Sequence, residues 1–171
     1  IKDSTANANH GTPTGTTVVD GFYGKARSFN GTSDYIDLGD ILDSSSTMTL
    51  EAWTKHSGAW PTGEGIIAKR FGTSEYSQYS LGVYAGTLYW LQSSSGGAWE
   101  TLVSTSVPST DQWHYLVGTN NGSVARLYID GIEVGTADSS PATSVGPSTQ
   151  SLKIGYGRIN SNEEYFGGII D

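Results

Sequence analysis

Apolar and polar residues alternate with a period of two along most of the chain, and the period of an α-helix is absent. The alternation is clearest in residues 111–131, where two such runs flank the turn sequence Asn120-Asn121-Gly122. One face of the first run carries Trp113, Tyr115 and Val117, and one face of the second carries Ala125, Leu127 and Ile129. A further turn at Asp130-Gly131 leads into a third strand, so the pattern predicts an antiparallel meander.

Further strands are predicted on both sides of this meander. Residues 48–55 place Met48, Leu50 and Ala52 on one side and Trp53 on the other. Shorter apolar runs predict strands at residues 66–69, 76–84, 88–92 and 99–104, separated by segments rich in Gly, Ser and Pro. Many short strands joined by tight turns predict an all-β domain.

Composition narrows the class further. The chain has 171 residues and no internal duplication, which predicts one domain over residues 1–171 with room for a two-sheet core. It has 23 Gly and a single Met, as in proteins of strands and turns. Its formal net charge of −8 argues against a nucleic-acid partner, because phosphate binding needs a cationic surface. No apolar run is long enough to insert into a membrane.

The ends of the chain and its lack of cysteine suggest the kind of protein that the chain comes from and its source. The sequence begins at Ile1-Lys2-Asp3 and ends at Ile170-Asp171, in strand-like sequence without a signal peptide. We therefore expect a monomeric module excised from a larger secreted or surface-attached protein. With no cysteine there is no disulfide framework, which favours a bacterial or archaeal source.

Several motifs carry a family resemblance. Trp113-His114-Tyr115 followed by Leu127-Tyr128-Ile129-Asp130-Gly131 resembles the "WHH…LYVDG" core of laminin-G-like domains in the concanavalin A-like lectin/glucanase superfamily. Residues 3–11, 24–38, 48–55 and 165–171 resemble other segments of that family in the same order. The resemblance covers nearly the whole chain and implies a two-sheet antiparallel β-sandwich jelly roll. It also implies that Trp53 and Trp113 take core positions and serve in packing.

The residues favour a domain without catalysis. A family 16 glucanase would carry "ExDxE" on one strand, which puts its acid and nucleophile on one face. Here Glu51 is alone on its strand, and Glu163-Glu164 are adjacent and so point to opposite faces. The serine-rich chain leaves a Ser-His-Asp triad open, but it has no Gly-x-Ser-x-Gly nucleophile elbow.

A calcium site is implied by the resemblance. Asp3, Asn7 and Asn9 offer oxygen ligands in one loop, and Asp171 ends the closing strand. In laminin-G-like jelly rolls the matching loop and the closing Asp lie together and often hold a structural Ca²⁺, which would clamp the termini. The alternative is that the Asn residues only form Asx turns.

Two tryptophans are candidates for ligand binding. Trp60 and Trp99 lie beside Gly in loop-like segments, where an exposed ring can stack on the apolar face of a sugar. Tyr76 and Arg158 are candidate partners for an oligo- or polysaccharide. The alternative for each tryptophan is a half-buried ring that packs over a loop.

These residues suggest two functions. The first is a non-catalytic carbohydrate-binding module of a secreted or surface protein. The alternative is an adhesive or structural spacer that binds protein on a cell surface, or no ligand. Whether Trp60 and Trp99 are exposed and close together would distinguish the two.

Overall fold

A computed structural model describes residues 1–43, 46–70, 77–93, 99–141, 147–159 and 162–171. Its strands in chain order are β1 (Thr12–Thr14), β2 (Thr17–Asp20), β3 (Lys25–Asn30), β4 (Tyr35–Asp37), β5 (Thr47–His56), β6 (Gly63–Arg70), β7 (Ser77–Tyr84), β8 (Thr87–Ser93), β9 (Trp99–Ser106), β10 (His114–Asn121), β11 (Ala125–Ile129), β12 (Ile132–Asp138), β13 (Leu152–Ile154), β14 (Tyr156–Ile159), β15 (Asn162–Tyr165) and β16 (Gly167–Ile170). No helix in the described ranges is long and apolar enough to cross a membrane.

The strands form two large antiparallel sheets and one small ribbon. Sheet A has the order β1-β4-β13-β6-β7-β8-β9, and sheet B has the order β12-β11-β10-β5-β16-β3-β2. The third sheet is the two-stranded ribbon β14–β15, and β14 lies against β6 of sheet A. The two-sheet jelly-roll sandwich expected from the sequence is confirmed.

The core lies between the sheets. Cross-strand partners give sheet A an apolar row of side chains that runs from β4 to β9: Ile36, Ile154, Ile67, Leu81, Trp90 and Val103. Sheet B contributes Ala52, Leu116, Ala125 and Leu127 to the same core, all of them buried. Burial of these side chains is the main stabilising contribution to the fold.

The structure shows which faces of the meander point into the core. Ala125 and Leu127, which the alternation places on one face, are buried in the core. In β10, however, Leu116 is buried, whereas Tyr115, and Trp113 just before the strand, are half-buried on the outer face of sheet B. Trp53 of β5 is also half-buried and outside the core. The prediction that Trp53 and Trp113 are core residues was therefore wrong. Alternation fixes which residues share a face, but here both faces carry large apolar residues, so it does not fix which face is inside.

Two Asn-Gly pairs, Asn30-Gly31 and Asn121-Gly122, make tight turns. Gly31 has φ +75° and Gly122 has φ +84°, values that Gly adopts without a steric penalty. The side-chain oxygen of Asn30 accepts hydrogen bonds from the N–H groups of Thr32 and Ser33, both at 2.9 Å. These contacts are those of turn-forming residues.

Candidate functional site

Trp60 is engaged with its own domain. Its ring stacks on His56 with centroids 3.9 Å apart and planes at 19°, and it packs against the core. Its indole N–H donates to the carbonyl of Pro108 at 2.9 Å. This geometry favours the alternative of a half-buried packing ring.

The other predicted ligand residues lie wholly or partly outside the described residues. Tyr76 falls in an undescribed range, and the side chains of Trp99 and Arg158 are undescribed although their backbones belong to β9 and β14. The spacing of the Trp60 and Trp99 rings therefore lies outside the described structure. A ligand role for Trp99, Tyr76 and Arg158 stays a prediction.

The residues predicted to bind calcium have separate local partners. Asp3 accepts hydrogen bonds from the N–H and hydroxyl of Thr5, at 2.8 and 2.7 Å, and from the N–H of Asn9 at 2.9 Å. These hydrogen bonds lower the pKa of Asp3, and the bond from the Thr5 N–H has the largest effect. Asp171 instead accepts the N–H of Tyr23 at 2.7 Å. No contact joins the two carboxylates in the described structure, so a calcium ion shared by Asp3, Asn7, Asn9 and Asp171 stays a prediction.

Ser109, His114 and Asp130 are connected in the order of a hydrolase triad. His114 Nε2 lies 2.8 Å from Ser109 Oγ, and His114 Nδ1 lies 2.7 Å from Asp130 Oδ2. The amide of Gln112 also donates to the Ser109 hydroxyl, and the other Asp130 oxygen accepts the N–H of Tyr115 at 2.8 Å. Five well-formed cavities among the described residues are all lined by other residues than Ser109, His114 and Asp130. We interpret the three residues as a structural connection between the loop before β10 and the end of β11.

The outer face of sheet B carries an aromatic ladder, which we define as Phe22, Trp53 and Tyr115. Phe22 stacks on Trp53 with centroids 3.7 Å apart and planes at 8°, and Trp53 stacks on Tyr115 at 5.0 Å and 27°. Trp53 and Tyr115 are cross-strand partners in β5 and β10, which places their rings side by side. Tyr23 and Trp113 make edge contacts with Phe22 at 4.9 and 6.1 Å.

Hydrogen bonds hold the ladder in place. Asp171 pairs with Trp53 through two backbone hydrogen bonds, and its carboxylate fixes the loop that carries Phe22 and Tyr23. The Tyr115 hydroxyl donates to Glu51 at 2.7 Å. Because the ring faces stack on one another, the ladder stabilises the loop. Among the aromatic residues of this face, Phe22 (42% exposed) and its neighbour Tyr23 (71% exposed) reach furthest into solvent.

The outer face of sheet A carries a different group, which we call the tyrosine groove: Tyr35, Tyr156, Tyr165, Lys153 and Glu163. The Lys153 ammonium lies 4.5 Å from the ring centroids of both Tyr35 and Tyr156. Tyr156 and Tyr165 are partners in the β14–β15 ribbon, with centroids 5.3 Å apart. The Tyr165 hydroxyl donates to Glu163 at 2.9 Å.

The groove combines charge, hydrogen-bonding groups and open space. Lys153 makes no ion pair with any carboxylate of the described residues. A small cavity of about 100 Å³ lies beside it, lined also by Asp37, Gln150 and Tyr156. Larger open cavities of about 440 and 480 Å³ adjoin Tyr165 and Tyr35. Rings beside convergent polar groups are typical of small-molecule sites.

Two acidic residues near the groove have unusual environments. Burial, and then the charge of Glu64, raise the pKa of Glu164 to about 7. The Glu164 carboxylate occupies the space that a side chain at Gly63 would need. Glu64 is buried, which raises its pKa, and its Oε1 lies 3.0 Å from Nε2 of His56. One oxygen of each carboxylate, Oε2, is buried without a hydrogen-bond partner.

Burial and the hydrogen bond to Glu163 raise the pKa of Tyr165 to about 12. The hydroxyl of Tyr165 is therefore protonated at neutral pH and can act as a hydrogen-bond donor. Sequence reasoning missed the tyrosine groove, although it correctly placed Glu163 and Glu164 on opposite faces of their strand. The available signal was the cross-strand pairing of aromatic residues, which needs the strand register before it can be used.

Comparison with known proteins identifies the family. Residues 30–171 match the laminin G model described as the concanavalin A-like lectin/glucanases superfamily. The chain belongs to this superfamily. The match covers most of the chain and confirms the resemblance drawn from its motifs. No curated protein sequence matches the chain at a significant level.

Solved structures of this superfamily fold include several binding domains. Domain 4 of AbnA, an extracellular GH43 arabinanase from Geobacillus stearothermophilus solved with arabinotriose, matches with a TM-score of 0.73 and 23% identity, over 99% of this chain and 83% of that one. The binding domain of Paraclostridial Mosquitocidal Protein 1 matches with a TM-score of 0.70 and 16% identity, over 99% of this chain but 45% of that one. The carbohydrate-binding module CBM66 from Bacillus subtilis matches with a TM-score of 0.50 and 16% identity, over 93% of this chain and 92% of that one. At these identities the likeness concerns the fold.

Proposed function

We propose that this domain is a non-catalytic carbohydrate-binding module of a secreted or surface protein, and that its glycan lies in the tyrosine groove. The observation that carries the proposal is the Lys153 ammonium, held between two tyrosine rings without an ion-pair partner in the described chain. The ammonium is thus available as a hydrogen-bond donor to a ligand beside aromatic carbon.

The chemistry of the groove suits a sugar. A pyranose or furanose ring presents C–H groups that pack on aromatic rings and hydroxyls that both donate and accept hydrogen bonds. Half-buried Tyr35 and Tyr165 offer ring surface, and Asp37, Lys153 and Glu163 offer acceptors and a donor at the rim. Since carboxylates outnumber the ammonium, we expect a neutral glycan.

The structural neighbours support this class of ligand. AbnA domain 4 was solved with arabinotriose, and CBM66 is a carbohydrate-binding module. The toxin binding domains with the same fold, one of them in complex with rat synaptotagmin II, support the alternative of a protein ligand. On this domain the exposed rings of Phe22 and Tyr23 are the feature that favours the alternative.

Isothermal titration of the whole chain with neutral oligosaccharides, arabino-oligosaccharides among them, tests the proposal. Tyr165→Ala should weaken binding at least tenfold, because it removes a ring and a hydroxyl from the groove. Tyr23→Ala, which removes an equally large ring from the other face, should leave affinity unchanged. If Tyr23→Ala weakened binding and Tyr165→Ala did not, the glycan site would lie at the ladder instead. If the chain bound no glycan on an array, the alternative of a structural spacer would be favoured.

A further inference from the structure

The tyrosine groove follows the direction of strand β4. Tyr35 and Asp37 are two residues apart in β4 and share one face, so they are separated by about 7 Å along the strand. The chain enters β4 from the turn at residues 31–32 and leaves it toward residues 38–39. The groove therefore has two ends, one before the strand and one after it.

A separate cavity lies at each end. The cavity of about 440 Å³ is lined by Gly31, Thr32 and Tyr165, so it lies where the chain enters β4. The cavity of about 480 Å³ is lined by Tyr35 and Leu38, so it extends past the end of the strand. The two have different lining residues and meet at the rings of Tyr165 and Tyr35, whose centroids are 6.5 Å apart.

Both ends offer the same hydrogen-bonding chemistry. Exposed Thr32 and Thr62 line the first cavity, and exposed Thr12 and Thr14 line the second. A threonine hydroxyl can both donate and accept a hydrogen bond, as the hydroxyls of a sugar can. Along β4 the groove thus presents hydroxyl groups, then aromatic rings, then hydroxyl groups again.

This arrangement is longer than a site for one sugar. Each cavity alone has the volume of a small-molecule site, and the rings between them add a stacking surface. A glycan chain along β4 could place one unit in each cavity and one on the rings. A site for the end of a glycan would be closed on one side, whereas here a cavity adjoins the rings on both sides.

We propose that the tyrosine groove binds an internal segment of a linear polysaccharide, about three sugar units that run along β4, and not the end of a glycan chain. This inference rests on the proposed function, because it concerns the same glycan site. It predicts the number of protein molecules on each polysaccharide, the dependence of affinity on chain length, and the effect of obstructing either end of the groove.

Isothermal titration of the unmodified chain with long, unbranched, neutral polysaccharides of known length, linear arabinan among them, tests the proposal. We expect several protein molecules to bind each polysaccharide, because internal segments far outnumber chain ends. The trisaccharide of the same polysaccharide should bind about tenfold more tightly than the monosaccharide, because only the trisaccharide reaches both cavities. Longer oligosaccharides should gain little more. These measurements do not depend on a variant that folds.

Two variants obstruct the ends of the groove one at a time. Thr32→Leu and Thr14→Leu each replace an exposed hydroxyl with a larger aliphatic side chain, at opposite ends. Each should weaken polysaccharide binding about fivefold, because a hydrogen-bonding group is lost. Thr17→Leu is the matched control, since it makes the same change at an exposed position of β2 in sheet B, and it should leave affinity unchanged.

Binding of a single protein molecule to each long polysaccharide would overturn the inference, because it would indicate a chain end. A monosaccharide that binds as tightly as the trisaccharide would also overturn it, as would a loss of affinity in only one of the folded variants Thr32→Leu and Thr14→Leu. Each of these results would leave the proposed function in place. If the chain bound neither the polysaccharides nor any glycan on an array, the proposed function itself would fail, and this inference with it.

Discussion

The aromatic ladder and the tyrosine groove lie on opposite outer faces of the sandwich and use their rings differently. In the ladder, Phe22, Trp53 and Tyr115 stack face to face, and the polar groups around them already have partners within the chain. In the groove, Tyr35 and Tyr156 flank an ammonium that has no ion pair in the described residues, and cavities adjoin the rings.

This difference separates stabilisation from binding. Rings that cover one another remove apolar surface from water and fix a loop, so their interaction contributes to folding. Rings beside an ammonium, carboxylates and open space can still contact something else. A cluster of aromatic residues on a sheet does not by itself mark a ligand site, and the partners of the neighbouring polar groups decide between the two roles.

The largest effect is expected in the ladder. Trp53→Ala should lower the free energy of unfolding by about 3 kcal/mol, because it removes the central ring, which contacts Phe22 on one side and Tyr115 on the other. Trp113→Ala should cost about 1 kcal/mol, since the one ring contact of Trp113 among the described residues is an edge contact at 6.1 Å. Urea denaturation measures both.

The same variants test the division of roles. Each, where folded, should bind glycan as the unmodified chain does. Loss of glycan binding in folded Trp53→Ala would contradict the assignment of the ladder to stability, and an equal loss of stability in both variants would contradict the proposed central position of Trp53.

The next effect is expected in the groove. Lys153→Met keeps much of the aliphatic stem and removes the ammonium, so it should weaken glycan binding about tenfold, or about 1.4 kcal/mol. Lys25→Met is the matched control, because Lys25 is exposed and paired with Asp20 near the ladder.

For a neutral glycan, affinity should be nearly the same in low and high salt. A strong decrease with salt would instead indicate an anionic ligand.

The sequence predicted the fold well because period-two alternation and Asn-Gly turns are local signals. Strand β5 was predicted as residues 48–55 and runs from Thr47 to His56, and the hairpin at Asn121-Gly122 forms as expected. The ordered motifs then identified the superfamily, which the family match confirms.

The candidate sites were harder to predict, because they depend on side chains brought together from distant strands. Tyr35 and Lys153 are 118 positions apart in the sequence and meet only because β4 and β13 pair in sheet A. Trp60 looked exposed from its Gly- and Pro-rich neighbours, yet His56 and the carbonyl of Pro108 engage it. A sequence shows the residue type, but it does not show which neighbours contact the side chain or accept its hydrogen bond.

A smaller effect is expected from pH at the end of the groove. The pKa of Glu164 in the folded protein, about 7, lies above its ordinary value of 4.5, so the folded state holds this proton more tightly than the unfolded state. The stability that this adds is fully present below pH 4.5 and is lost as pH rises through 7. Glu164→Gln should therefore be more stable than the unmodified chain at pH 8, by about 1 kcal/mol after allowance for partial exposure.

Thermal unfolding at pH 5 and pH 8 measures this effect. Glu163→Gln is the matched control, because the neighbouring carboxylate is exposed and bonded to tyrosine hydroxyls. If the stabilities of the two variants change equally with pH, the loss of stability at high pH does not arise at Glu164.

The smallest effect concerns Asp171, where the ladder and the predicted calcium site compete for one carboxylate. An ion that binds only the folded state adds about 0.4 kcal/mol when free calcium equals its Kd. If Asp3 and Asp171 share such an ion, a chelator should lower the Tm of the unmodified chain. Asp171→Asn should abolish that response, because it removes the charge but retains an oxygen to accept the Tyr23 N–H. Calorimetry in calcium and in chelator measures this response. Equal Tm values for the unmodified chain would contradict the calcium site and would assign Asp171 only to holding the loop of the ladder.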